Sequence, residues 1–123
     1  MIENVRTEGL EVIDLAIFRI ESYVVKPEKR EDYMSIMKKW TVYIKKNEEK
    51  CTELKSWKLF SRTIGDNVGE FIEMWELESL ADYEKFMHKT FHGGDESIAK
   101  IVSGFTTCTV PGTNSVSIWN SVM

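Results

Sequence analysis

Apolar and polar residues recur along this chain with two different periods, and the order of those periods predicts the fold. Leu15 to Val25 reads as a strand. Pro27 to Lys46 reads as an amphipathic helix, with Tyr33, Ile36, Met37, Trp40, Tyr43 and Ile44 at the i, i+3, i+4, i+7 spacing of one buried stripe. Pro27 suits a first helical position, and Glu28, Glu31 and Asp32 favour the positive end of the helix dipole. Leu54–Arg62 and Glu70–Leu77 read as two strands around the turn Gly65-Asp66-Asn67-Val68-Gly69. Leu80 to Phe91 is a second helix, with Ser79 as N-cap and a stripe of Leu80, Tyr83, Phe86, Met87, Thr90 and Phe91. Gly93-Gly94 stops it. Asp95–Gly104 adds another turn or two of helix through Ile98, Ile101 and Val102, and Pro111-Gly112-Thr113-Asn114 turns into a last strand, Val116–Val122. The order is βαββαβ. It predicts an α+β, ferredoxin-like sandwich: one antiparallel sheet with two helices on one face.

The strands are apolar on both sides. In the first, Ala16, Phe18, Ile20, Ser22 and Val24 share one face, and Ile17, Arg19, Glu21, Tyr23 and Val25 the other. In the third, Phe71, Glu73, Trp75 and Leu77 oppose Glu70, Ile72, Met74 and Glu76. A sheet with one solvated side would alternate cleanly. Both faces are therefore expected to be covered, one by the helices and one by a second subunit.

Composition narrows the class. The 123 residues make one domain, residues 1–123, with 1–14 as an N-terminal extension. Net charge is -4, and the lysines interleave with glutamates, so no basic stripe for nucleic acid is expected. No apolar run approaches the roughly 18–20 residues that span a bilayer, and the first residues do not read as a signal peptide. Cys51 and Cys108, far apart, read as free thiols of a reducing compartment, and the expected location is cytoplasmic. The chain has no Gln and much Glu and Lys, a bias that points to a thermophilic source.

Two segments carry a resemblance. Tyr23-Val24-Val25-Lys26-Pro27-Glu28-Lys29-Arg30-Glu31-Asp32-Tyr33 and Glu76-Leu77-Glu78-Ser79-Leu80-Ala81-Asp82-Tyr83-Glu84-Lys85-Phe86, together with the Pro-Gly turn before Ile118-Trp119, resemble the dimeric α+β-barrel superfamily. That group includes antibiotic-biosynthesis monooxygenase and NIPSNAP-type proteins. The resemblance implies a homodimer, or a higher assembly of dimers, whose sheets pack face to face. It also implies a pocket between sheet and helices in each subunit. Members use such a pocket for cofactor-independent oxygenation, haem binding and breakdown, or isomerisation, and fold alone does not choose among these. The chain departs from the haem-degrading pattern: Glu21 stands where those members resembling it carry Asn, and their second-helix Trp has no counterpart. Leu77 replaces a Trp found in many members, with Trp75 two residues earlier.

Glu21 is the first candidate for chemistry. In the family's register it points into the pocket between Arg19 and Tyr23 on its face, where partial burial would make it a general base. The alternative is a structural ion pair with Arg19 or Lys58. His88 and His92 lie i, i+4 on the second helix and are candidate donors or proton shuttles. No third ligand is fixed beside them, so no metal site is assigned and no cofactor is expected. Tyr23, Trp40, Glu73 and Trp75 are the candidate ligand-binding residues. Tyr33, Phe60 and Phe86 are further aromatics that serve equally as core. Glu73 is expected near Glu21 across the sheet. There is no Gly-rich phosphate loop, nucleophile elbow or Cys–His dyad. The expectation is a binding protein for a small apolar or aromatic molecule, with any enzyme activity that of a cofactor-independent oxygenase or isomerase. A non-catalytic assembly module with a filled pocket, and a haem- or metal-binding protein, are the alternatives.

Overall fold

The computed structural model describes residues 16–65 and 69–122; the N-terminal extension read from the sequence lies outside them. Within these bounds the elements are β1 (Ile17–Val24), a 3-10 turn (Pro27–Lys29), α1 (Arg30–Lys46), β2 (Leu54–Ser61), β3 (Glu70–Leu77), α2 (Leu80–Phe91), α3 (Glu96–Cys108) and β4 (Ser115–Asn120). The four strands form one sheet in the order β2-β3-β1-β4, every neighbouring pair antiparallel. That is the ferredoxin-like order that the βαββαβ pattern predicts.

Local chemistry explains the boundaries. Pro27 opens the 3-10 turn before the α-helix settles at Arg30, so the expected first helix is split at its start. Ser79 accepts a hydrogen bond from the Asp82 N–H at 3.1 Å, the N-cap expected for α2. Leu80 departs from its stripe: it is 56% exposed.

The larger difference is α3. It runs thirteen residues, past Gly104 to Cys108, where a turn or two ending at Gly104 was expected, and it packs mainly against α1. Asp95 caps it through the Ser97 N–H at 2.8 Å. Gly104 does not end the helix but lets it approach α1: a Cβ there would lie 2.5 Å from Ile36 Cδ1. The hydroxyls of Thr106 and Thr107 donate to the carbonyls of Val102 and Ser103, each at 3.0 Å, so these threonines fit a helix after all.

The core lies between the sheet and the helices in two contiguous clusters. One gathers Ile17, Trp40, Tyr43, Cys51, Trp75, Leu77, Phe86, Ile98 and Ile101. The other gathers Tyr23, Val25, Tyr33, Met37, Phe71 and Cys108. The two cysteines are free, and burial in different clusters raises both thiol pKa values.

Among the described residues no helix covers the opposite face of the sheet. Phe60 and Trp119 are 47% and 59% exposed there. Phe18, Ile20 and Val24 of β1 and Ile72 and Met74 of β3 are only partly buried. No helix is long and apolar enough to cross a membrane, among the described residues.

Candidate functional site

Antiparallel pairing places Arg19 opposite Trp75 and Glu21 opposite Glu73. All four point toward the helices, because residues two apart on a strand share a face. Above them α1, α2 and α3 leave a cavity of about 410 Å³, lined by Arg19, Glu21, Glu73 and Trp75 from the sheet and by Trp40, Phe91, His92 and Phe105 among the helical residues. Most of the wall is apolar; the charged groups collect on the sheet floor. A wider groove of about 530 Å³ lies outside, between α1 and α3, rimmed by Lys39, Lys46 and Lys100. It lacks a comparable combination of carboxylates and aromatic rings.

The aromatic wall is ordered by stacking. Trp40, Trp75 and Phe91 lie with ring centroids about 6 Å apart and planes within 30° of parallel, a spacing at which offset rings attract. The Arg19 guanidinium sits 4.3 Å from the centroid of Trp75, a cation–π contact. Its Nη1 donates to Glu21 Oε1 at 3.0 Å and its Nε to the Tyr83 hydroxyl at 3.2 Å. Among the described residues no acceptor takes its Nη2. The other oxygen of Glu21 accepts from Asn114 Nδ2 at 2.6 Å. The indole N–H of Trp40 is buried and has no acceptor among the described residues.

Glu73 has a different setting. It is 5% exposed and has no ion pair among the described residues. Its Oε1 accepts from the indoles of Trp57 at 2.9 Å and Trp75 at 3.2 Å. Its Oε2 accepts from the Tyr23 hydroxyl at 2.8 Å, and that hydroxyl meets Tyr33 Oη at 2.6 Å. Burial raises the Glu73 pKa, and the negative charge of Glu21 adds to it; the Trp57, Tyr23 and Trp75 donors pull the other way without cancelling it. Burial also raises Tyr23, reinforced by the charge of Glu73, and raises Tyr33. Both phenols therefore stay protonated as hydrogen-bond donors.

The structure thus brings Glu21, Trp40, Glu73, Trp75 and His92 to one cavity. Tyr23 lies beneath it, fully buried, and touches its lining through Glu73 and Phe105. His88 is exposed and lies outside the lining; its ring is 6.3 Å from that of His92. Of the two ion pairs considered for Glu21, Arg19 forms it, and Lys58 stands opposite Met74 on the far face of the sheet. Phe60 is also on that far face. Among the described residues no group of three or more His, Cys, Asp or Glu is placed to hold a metal.

Phe105 and Thr106 join the lining from beyond Gly104, which by its local character marks a helix stop. The spacing Ile98, Ile101, Val102, Phe105 is nonetheless an i, i+3, i+4, i+7 stripe that carries the signal.

No protein-family profile matches the chain, and no curated protein matches it by sequence. Solved structures do match. A NIPSNAP family protein of Agrobacterium tumefaciens superposes with a TM-score of 0.68 at 17% identity, over 86% of this chain and 85% of its own. An antibiotic-biosynthesis-monooxygenase-like protein of Caulobacter crescentus gives 0.65 at 14%, over 90% and 93%. A conserved protein of Methanosarcina mazei gives 0.64 at 14%, over 89% and 95%. At these identities the likeness establishes the fold: this chain has the α+β, ferredoxin-like fold of the NIPSNAP and antibiotic-biosynthesis-monooxygenase-like proteins.

Proposed function

We propose that this chain binds a small apolar or aromatic molecule in the cavity between sheet and helices, and acts on it by cofactor-independent acid–base chemistry of the isomerase or oxygenase kind. One observation carries this reading: a cavity of about 410 Å³ joins a stacked aromatic wall to a floor of two carboxylates and a guanidinium. Ligand sites have this character, a mostly apolar lining with a few convergent polar groups. The open volume favours binding over a module whose pocket is filled by its own side chains. The working form in this proposal is a homodimer that buries the apolar far face around Phe60 and Trp119.

Calorimetric titration with 2-naphthol, a small apolar aromatic, tests the binding. Saturable binding is expected. Val102→Trp, which fills the cavity from an exposed wall position, is expected to weaken it at least tenfold. Absence of saturable binding, or equal affinity in the filled variant, overturns the reading.

A further inference from the structure

The floor of the cavity carries a donor and an acceptor on neighbouring strands. Arg19 has an Nη2 with no acceptor among the described residues, while its other nitrogens are held by Glu21 and Tyr83. Glu73 stands diagonally across the β1–β3 pair, on the same face. Its two oxygens are not equivalent: Oε1 already accepts from two indoles, whereas Oε2 accepts only from Tyr23. Oε2 therefore keeps a lone pair for a proton. Glu21 has both oxygens engaged, one by Arg19 and one by Asn114, and is suited to hold the guanidinium in place.

The hydroxyl pair beneath adds a further property. Either hydroxyl of the Tyr23–Tyr33 contact can be the donor. With Glu73 ionised, Tyr33 donates to Tyr23 and Tyr23 to Glu73. With a proton taken on the other lone pair of Oε2, both donations stay in place. Both protonation states thus keep their partners in a buried site, where an unpartnered polar group is costly.

The geometry points to Glu73 as a general base that enolises an apolar carbonyl compound, with Arg19 Nη2 receiving the developing oxyanion. The inference rests on the proposed binding cavity and deepens it by naming the substrate class. In the step, the C–H bond next to the carbonyl breaks and its proton passes to Glu73 Oε2. The electron pair forms the carbon–carbon double bond of the enolate, and the negative charge moves to the oxygen facing Arg19. Return of the proton to the same carbon is exchange, and its return to the far carbon of a conjugated system is isomerisation; neither needs an oxidant or a cofactor. Burial favours this chemistry by raising the basicity of Glu73 toward neutral pH. Preorganised donors at the oxyanion lower the barrier further.

The test uses 2-tetralone, an apolar aromatic ketone with an acidic methylene, in D₂O with the full chain. Calorimetry reads binding, and proton NMR reads loss of the C1 signal. Positioned general bases contribute on the order of 10²–10⁴-fold, so exchange at least about 100-fold above buffer is expected. Its pH profile should inflect above the ordinary carboxylate range. Glu73→Gln is expected to bind 2-tetralone and lose the acceleration, and Arg19→Met to lose most of it with Glu73 intact. Glu73→Asp, which withdraws the carboxylate by one methylene, gives the same reading if Glu73→Gln does not fold. Binding without accelerated exchange overturns the base assignment while the cavity reading stands, as does acceleration that survives Glu73→Gln. Absence of 2-tetralone binding overturns both.

Discussion

Glu21 and Glu73 face each other on neighbouring strands, yet the protein solvates their charges in opposite ways. Glu21 sits toward the edge of the sheet next to β4, where Arg19 neutralises it and the exposed Asn114 completes its shell. Glu73 lies on the other central strand, against the tryptophans, and is surrounded by neutral dipoles: two indole N–H groups and a phenol. A cation fixes a carboxylate in its charged state. Neutral donors in a desolvated pocket do not cancel the burial penalty, so the charged form stays disfavoured. The same side chain, two positions across a sheet, is made a strut in one place and a titratable group in the other.

The largest effect should come from Tyr23→Phe. It strips Glu73 Oε2 of its donor and leaves the buried Tyr33 hydroxyl without its partner. A loss of about 3 kcal/mol is expected in urea unfolding, on the scale of buried polar groups left unsatisfied. A loss below about 1 kcal/mol would mean that Glu73 does not depend on its neutral donors.

The second test is a pH series. The folded state holds the Glu73 proton more tightly than the unfolded chain, since burial raises its pKa. Its contribution to stability is therefore full below the unfolded-chain value and is lost as pH rises through the folded one. Wild type measured against Glu73→Gln should lose relative stability between acid and neutral pH. A difference independent of pH, or one growing with pH, contradicts the comparison.

The smallest effect should be that of Asn114→Ala at the other carboxylate. Asn114 is exposed, and the Arg19–Glu21 pair persists without it, so the cost should stay under about 1 kcal/mol. A larger loss would show that Glu21 is not the peripheral member of the two.

Much of this was legible in the sequence, for reasons that differ by element. The strand Glu70–Leu77 and the helix Leu80–Phe91 were read at the bounds they have, because alternation and a Ser79 cap are local signals. So was the sharing of one face by Arg19, Glu21 and Tyr23, and by Glu73 and Trp75, which follows from strand period alone. Helix α3 was read short because Gly104 has two physical meanings: a helix stop when judged locally, a contact point when Ile36 lies against it. The partition of roles between Glu21 and Glu73 was not legible either. It depends on Trp57 and Tyr33, which come from other elements and reach Glu73 only through register and packing.

That contact between Gly104 and Ile36 has a consequence for how such a pocket can change its capacity. Residues of α3 on either side of Gly104 form one wall of the cavity, while Gly104 itself is not part of the lining. The bare backbone at this point works as a spacer of zero thickness between two helices. Enlarging residue 104, or trimming residue 36, would set the helices wider or closer and resize the chamber from outside. The groups on its floor would stay in place, so the size of the guest and the chemistry done to it rest on separate positions of the chain.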